Sequence, residues 1–328
     1  MSEKSKKKTE QSRRHHYIPE FYLAGFTSSG DKEDFLQVFD LKTGKKWQAK
    51  PKNVAHERDL YRWEGVVGHE DFLEVEAFQK IDDLASKVIA KIIREKKVPA
   101  KDSEDYFNLI QFIAAFKIRT PRSQKEYEDT TIQILRAVTN VITQSEDRWK
   151  TVKKRALGEE GKDLSREQMR EVVFNESKFK IEVPRESYLA TMSERLQYLI
   201  QILGDRNWSL CIAREGNFMC SDYPLVLDWA VPPHKHPNRY PALGDKGSVV
   251  AVPLDKKNAL LGVFEQERFS SIVGERLVAL INFLEGIYAY RFLFSPTDDF
   301  IWLKWDRTIG NSDEFIEWIK TLRTNHSA

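Results

Sequence analysis

Cysteine is nearly absent: Cys211 and Cys220 are the only two in 328 residues. That count excludes a small disulfide-stapled secreted domain, and two reduced thiols in the core of a cytoplasmic protein are expected. No apolar run approaches the roughly 18 residues that a membrane span requires. The first residues carry charge but no apolar stretch, so no secretory signal is expected there. Also missing are a Gly-rich phosphate loop, a Gly-x-Gly-x-x-Gly turn after a strand, a Cys-x-x-Cys pair and a His-Glu-x-x-His helix. Those absences count against nucleotide-cofactor enzymes, zinc ribbons and zincins. Nor does one sign of charge dominate. The 52 basic and 50 acidic residues leave a net charge of +2, which gives no whole-protein field toward nucleic acid or acidic membranes.

What is present is a core. Hydrophobic residues make up 41% and aromatic residues 12% of the chain, enough for a globular protein. The basic excess is local, with Lys4, Lys6, Lys7, Lys8, Arg13 and Arg14 opposed only by Glu3 and Glu10. Residues 1–13 therefore read as a disordered solubilising tail, with a phosphate-contacting arm as the sharper alternative.

The ordered chain is expected to start near residue 14 with a short aromatic helix after Pro19, which Gly25 helps to end. Residues 35–40 and 46–49 flank a Thr-Gly turn and predict a hairpin. Another strand is expected at 60–63. From about residue 70, Val75, Phe78, Ile81, Ala85, Val88 and Ile92 recur at helical spacing and predict an amphipathic helix. A second helix, with Asp102 as N-cap, runs to Ile118 and is apolar on almost every side. Further helices are expected at 123–150, 165–177 and 186–203, with a charged linker at 153–163. Strand patterns return at 208–213 and 218–220, read as a hairpin, then at 248–253 and 258–264. A helix at 268–284, strands at 288–294 and 300–305 and a last short helix complete the order. These parts predict an α+β fold: one domain over 14–328, its largely antiparallel sheet built from both chain ends and packed on a helical insertion at about 70–203.

The run His16-Tyr17-Ile18-Pro19-x-Phe21-Tyr22-Leu23-x-x-Phe26 resembles the signature of a bacterial family catalogued as domain of unknown function 4238. Asn53-Val54 with Leu60-Tyr61, Phe112 followed by Ile118-Arg119-Thr120-Pro121-Arg122, and Ser221-Asp222-x-Pro224-Leu225 resemble it in the same order. Pro253-Leu254 and Asn282 also fit, so the likeness runs from about residue 13 to about residue 295. Tyr223 departs from the family, which often has Asn there. The resemblance supplies a family and no mechanism.

Three of those motifs hold polar residues that packing alone does not require. His16 suits either a backbone bond or a role as metal ligand or general acid–base, because imidazole titrates near neutrality. His15 is expected to be exposed. Arg119 ends a nearly all-apolar helix, where it either complements the dipole or clamps an anion. Asp222 sits at a strand end before Pro224, as a turn former or as a ligand or base. Glu57 is a further metal-ligand candidate, while Glu76 belongs to a solvated helix face. Ser221 lacks a nucleophile elbow, and His234 with His236 lacks a third ligand.

Two functional readings stand. In the first, the chain is a hydrolase or nuclease-like enzyme acting on a phosphate-containing substrate, of the kind used in bacterial defence. His16, Arg119 and Asp222 would be catalytic, and His16, Glu57 and Asp222 would hold a divalent metal ion. In the second, it is a non-catalytic module that binds nucleic acid or a protein through the basic tail.

Overall fold

The computed structural model describes residues 13–63, 70–156, 165–230 and 239–325. Most of the basic tail, His234, His236 and much of the expected 153–163 linker lie outside them. The chain forms two compact units, one of Met1–Pro121 with Met192–Ala328 and one of Arg122–Thr191.

The first unit is α+β. Its N-terminal motif makes strand β1 (Arg14–His16) and helix α1 (Glu20–Ala24), which starts after Pro19. Gly25 follows in an ordinary right-handed conformation, so its role is space. A Cβ there would stand 2.9 Å from the Asp255 Cβ. The expected hairpin forms as β2 (Leu36–Asp40) and β3 (Lys46–Ala49), with Gly44 at φ +71° in the turn. Strand β4 (His56–Arg58) pairs antiparallel with β1, placing His15 opposite Glu57 and His16 opposite His56. The strand expected at 60–63 is instead the turn after β4.

The amphipathic helix begins with a π-helical turn, Leu73–Phe78, and continues as α2 (Gln79–Glu95). Ile81, Ala85, Val88 and Ile92 are buried as expected, whereas Val75 is 45% exposed. The wider turn, in which the Gln79 N–H reaches the Glu74 carbonyl, breaks the α period before it reaches Val75. Helix α3 (Glu104–Phe116) follows, and its N-cap is Ser103 rather than Asp102. The Ser103 Oγ accepts from the Tyr106 N–H at 3.2 Å.

Later come β5 (Asn207–Ala213), β6 (Cys220–Ser221), β7 (Val226–Trp229), β8 (Ser248–Pro253), β9 (Asn258–Val263) and β10 (Ser270–Val273). The expected β5–β6 hairpin does not form. A five-stranded sheet has the order β10-β5-β9-β8-β7, antiparallel except for the β10–β5 pair. Strand β6 instead pairs with β11 (Phe292–Ser295) in a four-stranded sheet of order β3-β2-β11-β6. That sheet joins the two chain ends, as the order of elements suggested. The apolar run expected as one helix at 268–284 divides, because Gly274 separates β10 from the helix Glu275–Tyr288.

The regular elements among the second unit's described residues are all helices. It holds most of α4 (Pro121–Ile142), then α5 (Glu146–Ala156), α6 (Arg166–Phe174) and the start of α7 (Arg185–Gly204). The single long helix expected over 123–150 is thus two. Ser165 and Gln168 form a reciprocal capping box on α6, which satisfies two otherwise orphaned N–H groups. In the first unit, α8 (Glu275–Tyr288) packs on both larger sheets, and α9 (Ser312–Asn325) joins an aromatic cluster of Phe283, Phe300, Trp302 and Phe315. No helix among the described residues is long and apolar enough to cross a membrane.

Candidate functional site

Arg119 lies just beyond the C-terminal end of α3, with no exposed surface. Three rings wall its guanidinium, whose central carbon is 5.2 Å from the Phe116 ring centre, 5.6 Å from Phe112 and 5.8 Å from Phe78. Nη1 donates to Asp82 Oδ1 at 2.8 Å. Nε and Nη2 are buried and meet no acceptor among the described residues. The Tyr61 hydroxyl donates to the Arg119 carbonyl, which fixes the backbone beneath the side chain. A buried cation with one ion-pair bond and two unmet nitrogens is expensive, because a buried donor normally finds a partner.

Carboxyl groups surround this cation. Burial pushes Glu74 up to about 8; Arg119 opposes that shift, while Asp82 and Asp71 add to it. Its Oε2 is buried without a partner among the described residues. Asp82 is also raised, first by burial and against the pull of Arg119. Glu74 is therefore largely a neutral acid at pH 7, held beside a permanent cation. The π-helical turn carries Glu74 to this place, and such turns recur at functional sites.

His16 belongs to the same neighbourhood. Burial and the adjacent His56 push its imidazole down to about 4, with smaller contributions from Arg14 and Arg119 in the same direction, opposed by a hydrogen bond that the ring donates to the Lys52 carbonyl. It is thus neutral, with Nε2 3.7 Å from Glu20 Oε1 and, among the described residues, without a hydrogen-bond partner on that nitrogen. His15, expected to be exposed, is fully buried. Its Nδ1 accepts from the Tyr61 N–H at 2.9 Å, which leaves the ring proton on Nε2, 3.5 Å from Asp71 Oδ1. Stacking on Tyr61, with ring centres 5.5 Å apart, completes its enclosure.

Asp222 is engaged elsewhere. Its carboxylate accepts backbone N–H bonds from Tyr290 at 2.7 Å, Arg291 at 2.7 Å and Phe292 at 2.9 Å. Those bonds tie the β6 turn to the start of β11. The fields of Asp222 and Glu57 converge on the Tyr17 hydroxyl, whereas Arg119 acts on His16. Among the described residues no three His, Cys, Asp or Glu side chains are grouped to hold a metal ion. His16, Glu57 and Asp222 are therefore not gathered into such a group. Asp222→Asn is expected to lower stability by about 1–3 kcal/mol, since an amide keeps one acceptor where the carboxylate has two. A urea midpoint unchanged by this substitution would show that the three bonds contribute nothing to stability.

Sequence reading thus reached His16 and Arg119, but missed Glu74, Asp71 and Asp82. Their only signal was three carboxylates within twelve residues around the start of a helix whose partner helix ends just before Arg119. Glu76 is exposed and bonded to Lys80, as a solvated face requires.

No curated protein and no solved structure matches the chain. A family model described as a protein of unknown function, DUF4238, matches residues 14–299, a span that includes every residue of this cluster, and the chain belongs to that family.

Proposed function

We propose that the chain is a hydrolase acting on a phosphate-containing substrate, with the cluster around Arg119 as its active site. The observation that carries this reading is the pair of buried, unmet guanidinium nitrogens, because a planar fork of N–H donors matches the oxygens of phosphate. Glu74 supplies what hydrolysis then needs, a proton held at neutral pH. In this reading Arg119 holds two non-bridging oxygens and water attacks phosphorus. His16 accepts the water proton, and Glu74 gives its own to the leaving oxygen as the ester P–O bond breaks. Asp82 fixes the guanidinium, and His15 with Asp71 orders the adjoining backbone.

The test is hydrolysis of p-nitrophenyl phosphate and bis(p-nitrophenyl) phosphate by the full chain. Turnover of at least one ester is expected, falling on the order of 100-fold or more in Glu74→Gln, the usual scale for loss of a general acid. Absence of turnover on both esters, or a Glu74→Gln protein as active as the parent, would remove this reading.

A further inference from the structure

Asp228 stands where the strand pattern calls for an apolar residue. On β7 it shares a face with Val226, which is fully buried, because side chains two apart point the same way. Register continues that face across the sheet. Asp228 is opposite Val249, Val226 opposite Ala251, Ala251 opposite Leu261, and Leu261 opposite Ser209. Helix α8 lies over it with Leu277, Leu280 and Leu284 one turn apart. Between them the structure leaves a cavity of about 260 Å³, with Asp228 in its wall. Five of the apolar side chains that bound it, Val249, Leu261, Leu277, Leu280 and Leu284, stay half-buried because they face open space rather than one another.

The carboxylate is underused. Oδ1 accepts the N–H of the next residue, Trp229, at 2.7 Å, and this is its one bond among the described residues. Desolvation raises its pKa, so the anion sits in surroundings that disfavour it. A sheet-on-helix layer normally fills such a space with side chains, since interiors pack without voids larger than a water. An apolar hollow with a single well-placed charge is instead the usual form of a small-molecule site.

We propose that this cavity binds a small organic cation, a primary ammonium group carried on a compact apolar or aromatic body, with Asp228 as its counter-ion. Taking about 30 Å³ for each water-sized unit, the cavity holds roughly nine such units, the size of a phenylethyl amine. The ammonium completes the Asp228 carboxylate, and the apolar body fills the gap between β8, β9 and α8. A neutral molecule of the same shape leaves the carboxylate unpaired, and an anion is repelled. The site shares no residue with the Arg119 cluster and stands whether or not that cluster is catalytic.

Phenethylammonium chloride is the probe. Titration calorimetry on the full chain is expected to give saturable one-to-one binding, weakened about tenfold or more in Asp228→Asn, the scale of one lost charge-assisted contact. Ethylbenzene, the same body without the charge, is expected to bind as weakly as the cation binds to that variant. Leu280→Trp fills the hollow and should abolish binding; Val249→Leu, a smaller change, should weaken it if the larger one fails to fold. Absence of saturable binding, equal affinity in wild type and Asp228→Asn, or equal affinity for ethylbenzene would each overturn the assignment.

Discussion

Arg119→Ala is expected to destabilise the protein by about 3–5 kcal/mol, the range for removing one partner of a buried ion pair. The loss combines two effects. Asp82 is left as a carboxylate whose pKa burial already raises, and the three rings lose the flat group they enclose. Stability alone, however, does not separate an anion clamp from a structural fastener. The double variant Arg119→Met with Asp82→Leu does. Replacing both partners by apolar groups of similar volume is often nearly neutral, so this protein is expected to fold with a urea midpoint close to that of the parent. If Arg119 exists only to anchor α3, the double variant should behave as the parent in every assay. If it is a clamp, inorganic phosphate should raise the melting temperature of the parent and leave that of the double variant unmoved, because ligand stabilisation requires a site in the native state. A parent protein indifferent to phosphate would sink the clamp.

The antiparallel strands and most of the helices were legible because both rest on periodicity, although the strands were read as one sheet where the fold has a five-stranded and a four-stranded one. Ile81, Ala85, Val88 and Ile92 are buried along one stripe of α2, and the hairpin of β2 and β3 turns where Gly44 can adopt φ +71°. Pairing was less legible. Cys220–Ser221 lies close in sequence to β5 yet joins β11, some seventy residues on, because Asp222 and Glu285 hold it there through backbone N–H groups. Local pattern carries no such information. The site was half visible for a related reason. His16 and Arg119 look anomalous in apolar runs, whereas Glu74, Asp71 and Asp82 look ordinary at the start of a charged helix. Only the π-helical turn, which exposes Val75 and brings Glu74 beside Arg119, distinguishes them, and one inserted residue leaves no compositional mark. His15 was misjudged because a histidine pair at a strand gives no sign of which ring faces inward. Pairing with β4, and the bond from the Tyr61 N–H, decide that.

Glu285 is the second place where a large effect is expected, and there the chemistry is stability rather than turnover. It has no exposed surface. Oε2 accepts from the Ser221 N–H at 2.9 Å, and Oε1 has no partner among the described residues. Burial pushes its carboxyl up to about 8 from an ordinary 4.5, against the Ser221 bonds that pull it down and with Asp222 adding to the rise. The folded chain therefore keeps this proton while the unfolded chain releases it. Below about pH 4.5 both states are protonated, and the group costs the fold nothing. Between about 4.5 and about 8 stability falls by roughly 1.4 kcal/mol for each pH unit, and above that it levels off. The total is on the order of 4–5 kcal/mol, a large share of the marginal stability of a folded domain. Glutamine cannot ionise, so Glu285→Gln is expected to match the parent in mild acid and to exceed it by several kcal/mol at about pH 9. Glu74, pushed up to a similar value, keeps part of the pH dependence in that variant, and Glu285→Gln with Glu74→Gln should remove most of the remainder. Urea midpoints of the three proteins at about pH 4.5 and about pH 9 make the comparison. Parallel losses in all three would mean that neither carboxyl retains its proton in the fold. A gain in Glu285→Gln that is absent near pH 4.5 and grows toward about pH 8 would locate one neutral acid beneath the β6–β11 junction, where rising pH loosens the pairing that joins the two ends of the chain.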